Sequence, residues 1–595
     1  MKVRCAKENV EEYHRARTHS ALSVFRGRTQ LTHEQEPKAS ASTTPGAPEP
    51  VVPPHVMVAA RREKMRHFKE VLGFEPYGSS ESGLLSCQEA REQFSEEAHS
   101  QYELAAKTAK GALPEVVEIV DPRRRAKIAG RVVQHRDMGK LVFLFLRDAT
   151  GEIQVSISKS GVKPNEFELA KAVDYGDILI AEGPIGRTQK GEVCIWAAGV
   201  DLGAKSLAPP PEKWHGLSDP ELRYRRRYVD MYANPQTAKT FAMRSKIISR
   251  VRRFMEAEGF LEVETPMLQP IAGGAAARPF LTQHNALGMP LYLRIAPELY
   301  LKRCLVGGMR KVFEINRNFR NEGIDRSHNP EFTAMEAYEA FGDSGTMMSL
   351  TESLMHTLAC DAVADRVDAG LRASARSDGH GPVLPFGELD IDYSTPFVRV
   401  SFAELFEQHV GCGVRDFAKV RAKAREIGLH HEAKLDDWLV VNEVFEAIAE
   451  PRIDPARPTF VTDWPSAISP LTRPHRHDPD ICGRWDLFIG GMEIGPAYTE
   501  LNDPDIQLAK FTEQLRGEDE EVSTFRSLDE DFVESLRVGM PPAGGLGLGI
   551  DRIVMLLTDS ASIRDVILFP LLKSMGASKG SGEDAQGSSE DARGA

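Results

Sequence analysis

Between Val312 and Phe341 the chain reads VFEINRNFRNEGIDRSHNPEFTAMEAYEAF, the stretch that most narrows what the molecule can be. Two runs of alternating character flank a polar loop, which predicts strand, loop, strand. On the first strand Arg320 and Glu322 share a parity and hence a face; on the second, Phe332, Ala334, Glu336 and Tyr338 do. A guanidinium, carboxylates, one phenyl ring and the loop histidine His328 therefore converge on one surface. A sheet face turned to water is polar too, but it rarely collects that set.

Two further stretches carry chemistry. In WDLFIGGMEIGPAYTELNDP, from Trp485, two strands meet at Gly490 and Gly491, which supply the positive φ angles of a two-residue hairpin. In that register Phe488 pairs with Glu493 and Asp486 with Gly495, so Asp486 and Glu493 lie diagonally on one face. Two carboxylates so placed repel each other, and either a divalent metal or a basic partner such as arginine is expected between them. In MPPAGGLGLGIDRIVMLL, from Met540, four glycines precede an apolar helix with Arg552 in its first turn. Backbone approaches a ligand closely there, and helix dipole and guanidinium both favour an anion; close strand-to-helix packing also calls for glycine.

Together these pieces make a site with phosphate donors, a ring for a base, a metal pair and surplus acid. The chain has no GxxxxGK[ST] sequence, so an ordinary P-loop ATPase is excluded. No GxSxG serine or reactive cysteine motif offers a covalent nucleophile. The chemistry expected is direct attack on a nucleotide phosphate, driven by positioning and charge neutralisation.

The rest of the 595 residues fits two or more domains, with 41% hydrophobic residues and a net charge of −13. No run is long and apolar enough for a membrane-spanning helix and no secretory leader is evident, so a cytoplasmic location is expected. The seven cysteines are scattered without a CxxC pair and are read as reduced, with no structural zinc. Pro37–Pro54 holds six prolines among small residues and reads as a linker inside an extra or disordered N-terminal extension, residues 1–56, whose role stays open. Residues 57–122 read as a helical segment, with helices near Met57–Leu72 and Gln101–Lys110, and 574–595 as a disordered tail. Residues 123–205, with KLVFLFLRDATGEIQVSIS and DILIAEGPIGRTQKGEVCIWAAG, show short strands and turn signals and predict an OB-like barrel. Arg123–Arg227 carries 19 Lys+Arg against 13 Asp+Glu, either a footprint for a phosphate backbone or a solvated face. Leu141–Leu146 is apolar on both sides, so its outer face meets either unpaired bases or the flanking helices. Residues 206–573 form the larger domain, opening on a helix through Ile247, Ile248, Val251, Phe254 and Met255 that Gly259 closes before a short strand.

These segments resemble the class II aminoacyl-tRNA synthetases. SKIISRVRRFMEAEGFLEVETP is similar to their motif 1, FRNEGIDRSHNPEFTAMEAY to motif 2 and GLGLGIDR to motif 3. GGAAARPF at Gly273, RIAPELYLKR at Arg294 and TELNDP at Thr499 match the lysine-specific branch, and the likeness runs from about Arg61 to Lys573. The resemblance implies an α+β chain: an N-terminal OB-fold anticodon-binding barrel, then an antiparallel-sheet catalytic domain, working as a homodimer. It implies activation of L-lysine with ATP and Mg2+, then transfer to the 3′ end of tRNA(Lys). Arg320 then holds the α-phosphate, Phe332 stacks on adenine, Glu322 contacts the base edge, and His328 and Arg552 meet the terminal phosphates. Arg320 and Arg552 count as catalytic. Gly273, Glu298, Glu336, Tyr338, Tyr498 and Glu500 surround the lysine, Asp486 and Glu493 hold the metal, and Phe143 stacks an anticodon base that Arg136, Gln154 and Glu192 read. Aspartate and asparagine enzymes share the barrel and the motifs, but Glu336 opposes an acidic substrate. Two positions depart from the pattern: Asp486 stands for a glutamate, and Pro496 for an asparagine that helps hold the substrate.

Overall fold

The computed structural model describes residues 54–111, 120–209, 217–275, 277–368, 374–375, 381–429, 435–515 and 528–573. Nearly all of the expected extension and linker, and the whole expected tail, lie outside them. Three helices come first: α1 (Pro54–Glu70), α2 (Cys87–Glu92) and α3 (Glu96–Gly111). Ser86 caps α2 with a capping box, its side chain taking the Glu89 amide while the Glu89 carboxylate takes the Ser86 amide.

The barrel follows as β1 (Arg125–Asp137), β2 (Leu141–Arg147), β3 (Glu152–Ser158), helix α4 (Pro164–Ala172), β4 (Ile178–Arg187), β5 (Val193–Trp196) and β6 (Gly199–Ala204). The order β1-β2-β3-β5-β4 closes on itself through β1–β4 pairing, and β6 adds to β4. Val142, Leu144 and Leu146 of the two-sided strand point inward and are fully buried with Ile153, Val155 and Ile157. Helices α1 and α2 join the same core through Phe68, Cys87 and Ala90 and leave Phe143 and Phe145 half-buried on the outer side.

The larger domain is built on an eight-stranded sheet. Its strands are β7 (Leu261–Glu262), β8 (Lys311–Phe319), β9 (Glu331–Ala340), β10 (Val398–Ser401), β11 (Thr459–Pro465), β12 (Ile481–Ile489), β13 (Met492–Thr499) and β14 (Ala543–Gly549). Their order is β10-β11-β12-β13-β14-β9-β8-β7, antiparallel except for the parallel pairs at its two edges. Helices α5 (Pro235–Ala257), α7 (Ser344–Asp368) and α8 (Ile550–Thr558) cover one face, and α6 (Glu298–Val306) packs on β8 and β9. Ile247, Val251 and Met255 of α5 and Ile553, Val554 and Leu557 of α8 meet Met335, Ala337, Trp485, Leu487 and Leu548 there. Each such side chain contributes about 1.5–3 kcal/mol when fully buried. Sheet parity sends the alternate residues to the opposite face, where Phe332, Ala334, Glu336 and Tyr338 share a side, as expected.

Three details correct or extend the sequence reading. Strand β8 stops at Phe319, so Arg320 and Glu322 belong to the loop and not to a strand face. Helix α5 begins at Pro235, a residue preorganised for a first helical position, ahead of the periodic stretch from Ser245. Gly490 and Gly491 turn the hairpin with φ of 63° and 73°, and Phe488 pairs with Glu493, but a bulge at Leu487/Phe488 sets Asp486 opposite Pro496, not Gly495. None of the six described cysteines is joined in a disulfide.

Candidate active site

One end of the polar face is built to receive an anion and a flat ring. The Arg320 amide donates to Pro330 O at 2.9 Å, closing the loop between β8 and β9, and its guanidinium carbon stands 5.1 Å from the Phe332 ring centre. Its Nε is buried and has no hydrogen-bond partner among the described residues. A donor in that state is costly unless something meets it. Asp325 braces the loop by accepting the Ser327 and His328 amides at 2.7 and 2.8 Å. His328 Nδ1 lies 2.7 Å from Asp325 Oδ2, and its Nε2 lies 3.1 Å from the Arg552 guanidinium. A guanidinium only donates, so Nε2 accepts and the proton sits on Nδ1, facing the carboxylate. Arg552 also donates to Glu493 O. Glu322 is exposed on the same loop, its amide donating to Arg320 O.

The other end is an acid pocket. Tyr338 and Tyr498 both pair with Gly545 in register, one on each side of β14, and Glu336 pairs with Gly547. A Cβ at Gly545 would fall 2.0 Å from Glu500 Oε1 and 2.5 Å from Tyr338 Cε1, so only glycine leaves room for that carboxylate. Tyr338 donates its hydroxyl to Glu336 at 3.1 Å. Burial and the neighbouring Glu298 charge push the Glu336 carboxyl up to about 8, and burial pushes Glu500 up to about 8 against the pull of Lys302. Burial, with the surrounding carboxylates, raises the Tyr338 phenol. Burial also raises Tyr498, with Asp486, Glu298 and Glu493 opposing the pull of Arg484. Both phenols therefore stay protonated. Glu298 opens α6, and Gly273 passes against Leu299 one residue further on. The structure thus brings together all six residues expected around the lysine, and adds Lys302.

The expected metal pair is only half open. Glu493 is exposed, its carboxylate free of ion pairs and hydrogen bonds among the described residues. Asp486 is clamped by Arg484, which donates to Oδ1 and Oδ2 at 2.8 and 2.7 Å and to Ser469 Oγ at 3.0 Å. The two carboxylates do share a face, as the sequence suggested, but Asp486 is not unpaired: the basic partner won. No group of three or more metal-binding side chains forms among the described residues. Arg484 escaped the sequence reading although its parity with Asp486 on β12 was available.

Beneath the loop, Asp551 ties three segments together. Its Oδ2 accepts the Thr333 amide at 2.7 Å, and Oδ1 stands 2.5 Å from Arg244 of α5, which also donates to Thr333 Oγ1 at 3.0 Å. Asp551 is 2% exposed. Its neighbours Phe332 and Arg552 are therefore held on either side by one carboxylate.

On the barrel, Arg136 stands opposite Phe143 and Phe145 opposite Gln154, so an aromatic pair is flanked by polar groups. Arg136 is exposed, whereas Gln154, on the same outer face as Phe145, is buried and donates to Ser156 Oγ at 3.2 Å. Glu192, which precedes β5, is ion-paired with Arg91 of α2 at 2.9 Å. Barrel and catalytic domain meet through Arg147, at the end of the Phe143 strand, which donates to Tyr232 O at 2.7 Å, while Arg131 lies 4.5 Å over the Tyr232 ring.

Comparison with known proteins matches residues 219–573 to the tRNA synthetases class II (D, K and N), and residues 126–200 to the OB-fold nucleic acid binding domain. The chain is 44% identical over 520 residues to the lysine–tRNA ligase of Carboxydothermus hydrogenoformans, covering 87% of this chain and 98% of that one. It is 45% identical over 526 residues to that of Pelotomaculum thermopropionicum, covering 87% and 95%. Against the lysine–tRNA ligase of Cronobacter sakazakii it is 44% identical over 451 residues, covering 75% and 86%.

Proposed function

Because this chain belongs to the lysine–tRNA ligases of the class II tRNA synthetases, we propose that its acid pocket takes the L-lysine side chain while Arg320, Phe332, His328 and Arg552 take ATP. The reaction has two steps. The lysine carboxylate attacks the α-phosphate and expels pyrophosphate; a terminal adenosine hydroxyl of tRNA(Lys) then attacks the lysyl carbonyl, forming the ester and releasing AMP. The observation that carries the assignment of residues is the acid pocket over Gly545, beside a buried, unpartnered Arg320 Nε. An ammonium is costly to bury without carboxylates, and three converge there.

Arg320 meets the α-phosphate, so charge that grows on it during attack finds a donor already in place. Phe332 stacks on adenine and Glu322 contacts the base edge. Arg552 and His328 meet the terminal phosphates, exchanging their mutual contact for oxygens of the leaving pyrophosphate. Glu298, Glu336 and Glu500 receive the lysine ammonium, with Tyr338 and Tyr498 bounding its stem and Gly273 the far wall. Pro496 has neither a side-chain amide nor a backbone donor, so lysine orientation rests on the acids. Magnesium fits here through Glu493, whose carboxylate is open, with Asp486 as a second ligand held in place by Arg484; it would neutralise charge on the phosphates. On the barrel, Phe143 stacks an anticodon base with Arg136, Gln154 and Glu192 around it.

We place the enzyme in the cytoplasm as a homodimer. Exposed Leu261 on the edge strand β7, with exposed Leu268, Leu281 and Leu287 in the segment that follows it, support a partner there. No helix among the described residues is long and apolar enough to cross a membrane. The test is ATP–pyrophosphate exchange with each of the twenty amino acids. Lysine alone should support it, and exchange with aspartate or asparagine instead would overturn the pocket assignment.

A further inference from the structure

The acid pocket contains a cation of its own. Lys302 lies one turn beyond Glu298 on α6 with its side chain wholly buried, and its Nζ stands 2.7 Å from Glu298 Oε1 and 2.5 Å from Glu500 Oε2. Glu500 is equally enclosed, yet its second oxygen, Oε1, has no hydrogen-bond partner among the described residues and faces the space over Gly545. The polar groups on the elements packed around Lys302 are otherwise accounted for. Tyr338 and Glu336 of β9 bond to each other, Glu314 of β8 is held by Arg294 at 2.7 Å, and Asp529 is held by Arg303 at 2.8 Å.

We propose that Lys302 is a specificity-determining counter-ion of this pocket. Its ammonium takes one oxygen of Glu298 and one of Glu500, leaving their other oxygens and Glu336 for a single substrate ammonium. This rests on the reading of the pocket as the lysine site. Three carboxylates alone would hold protons, because like charges in a dry site cannot all ionise. One resident ammonium offsets part of that repulsion and fixes which way Glu500 points. The pocket then has room, in charge and in lone pairs, for one further cation. Burial raises Glu500, the Glu298 charge adds to it and Lys302 opposes it, so lysine binding tightens as pH rises towards about 8 and Glu500 gives up its proton.

The test is the KM for lysine in ATP–pyrophosphate exchange, measured from pH 6 to 9 on the full chain. Lys302→Met should raise that KM about tenfold or more at pH 7.5 and move the pH at which it levels off upward by about one unit. Glu298→Gln, which opens no cavity, should move that pH downward, since Lys302 then belongs to Glu500 alone. The opposite directions separate a counter-ion from mere packing. If Lys302→Met does not fold, Glu298→Gln carries the test by itself. Wild-type exchange with lysine, but a KM profile that either folded variant leaves unshifted, overturns the role of Lys302. A wild-type protein without lysine-dependent exchange overturns the pocket reading and this inference with it.

Discussion

A single methyl group at Gly545 should uncouple lysine recognition from ATP binding. Built on this backbone, the alanine Cβ lies 2.0 Å from Glu500 Oε1, 2.5 Å from Tyr338 Cε1 and 2.7 Å from Tyr338 Cδ1. Ordinary contact begins near 3.4 Å, so the carboxylate must retreat by about 1.4 Å. Glu500 is fully buried and Tyr338 is 3% exposed, which leaves the retreat little room except away from the pocket. Overpacking of this kind costs about 1–3 kcal/mol of stability. Loss of the charged hydrogen bond to the substrate ammonium costs about 1.5–3 kcal/mol, which is about 10- to 150-fold in lysine affinity. Lysine-dependent ATP–pyrophosphate exchange should therefore show a KM for lysine raised by that factor, with the KM for ATP within about twofold of wild type, because Arg320 and Phe332 lie at the other end of the site. Thermal melting reports the stability cost separately. A folded Gly545→Ala protein whose KM for lysine stays within about twofold of wild type would refute the placement of the ammonium at Glu500.

Arg320→Ala should leave the fold intact, since its Nε has no hydrogen-bond partner among the described residues, and lower exchange by about 10²–10³-fold; a near-normal rate counts against Arg320 as the phosphate contact. Phe143→Ala should spare exchange and weaken charging of tRNA(Lys) by about 1–3 kcal/mol, and unchanged charging returns Phe143 to a packing role. Stability without lysine should fall as pH rises. The Glu336 and Glu500 carboxyls are raised from 4.5 to about 8 by burial, with the Glu298 charge acting on both. The folded state thus keeps protons that the unfolded state has lost between those values, and stability drops across that window and levels off above it. Urea midpoints at pH 5.5, 7 and 8.5 check the sign, and a midpoint that climbs from 5.5 to 8.5 contradicts it.

How much of this could be read from the residues alone varied with how local the deciding force was. The face shared by Phe332, Glu336 and Tyr338 follows from strand parity, and the Gly490–Gly491 turn from backbone conformation, so both were readable. The end of β8 was not, because Arg320 leaves the ladder to bond across the loop to Pro330. The bulge at Leu487 shifted Asp486 by one residue against its partner, which alternation cannot register. Buried ion pairs were hardest. Arg484 and Lys302 sit two and four residues from carboxylates already singled out, but only the enclosed geometry turns that proximity into pairing. Barrel residues Gln154 and Glu192, expected to read a base, already have protein partners for their side chains, Ser156 and Arg91.

Asp551 gives the molecule an unusual economy of wiring. One acid, out of contact with solvent, grips the long helix that precedes the sheet and the strand that carries Phe332, and sits beside Arg552. Phe332 and Arg552, the residues proposed for adenine and the terminal phosphates, thus share one anchor on α5. On that proposal, whatever leans on the helix from outside would act on how well a nucleotide is held.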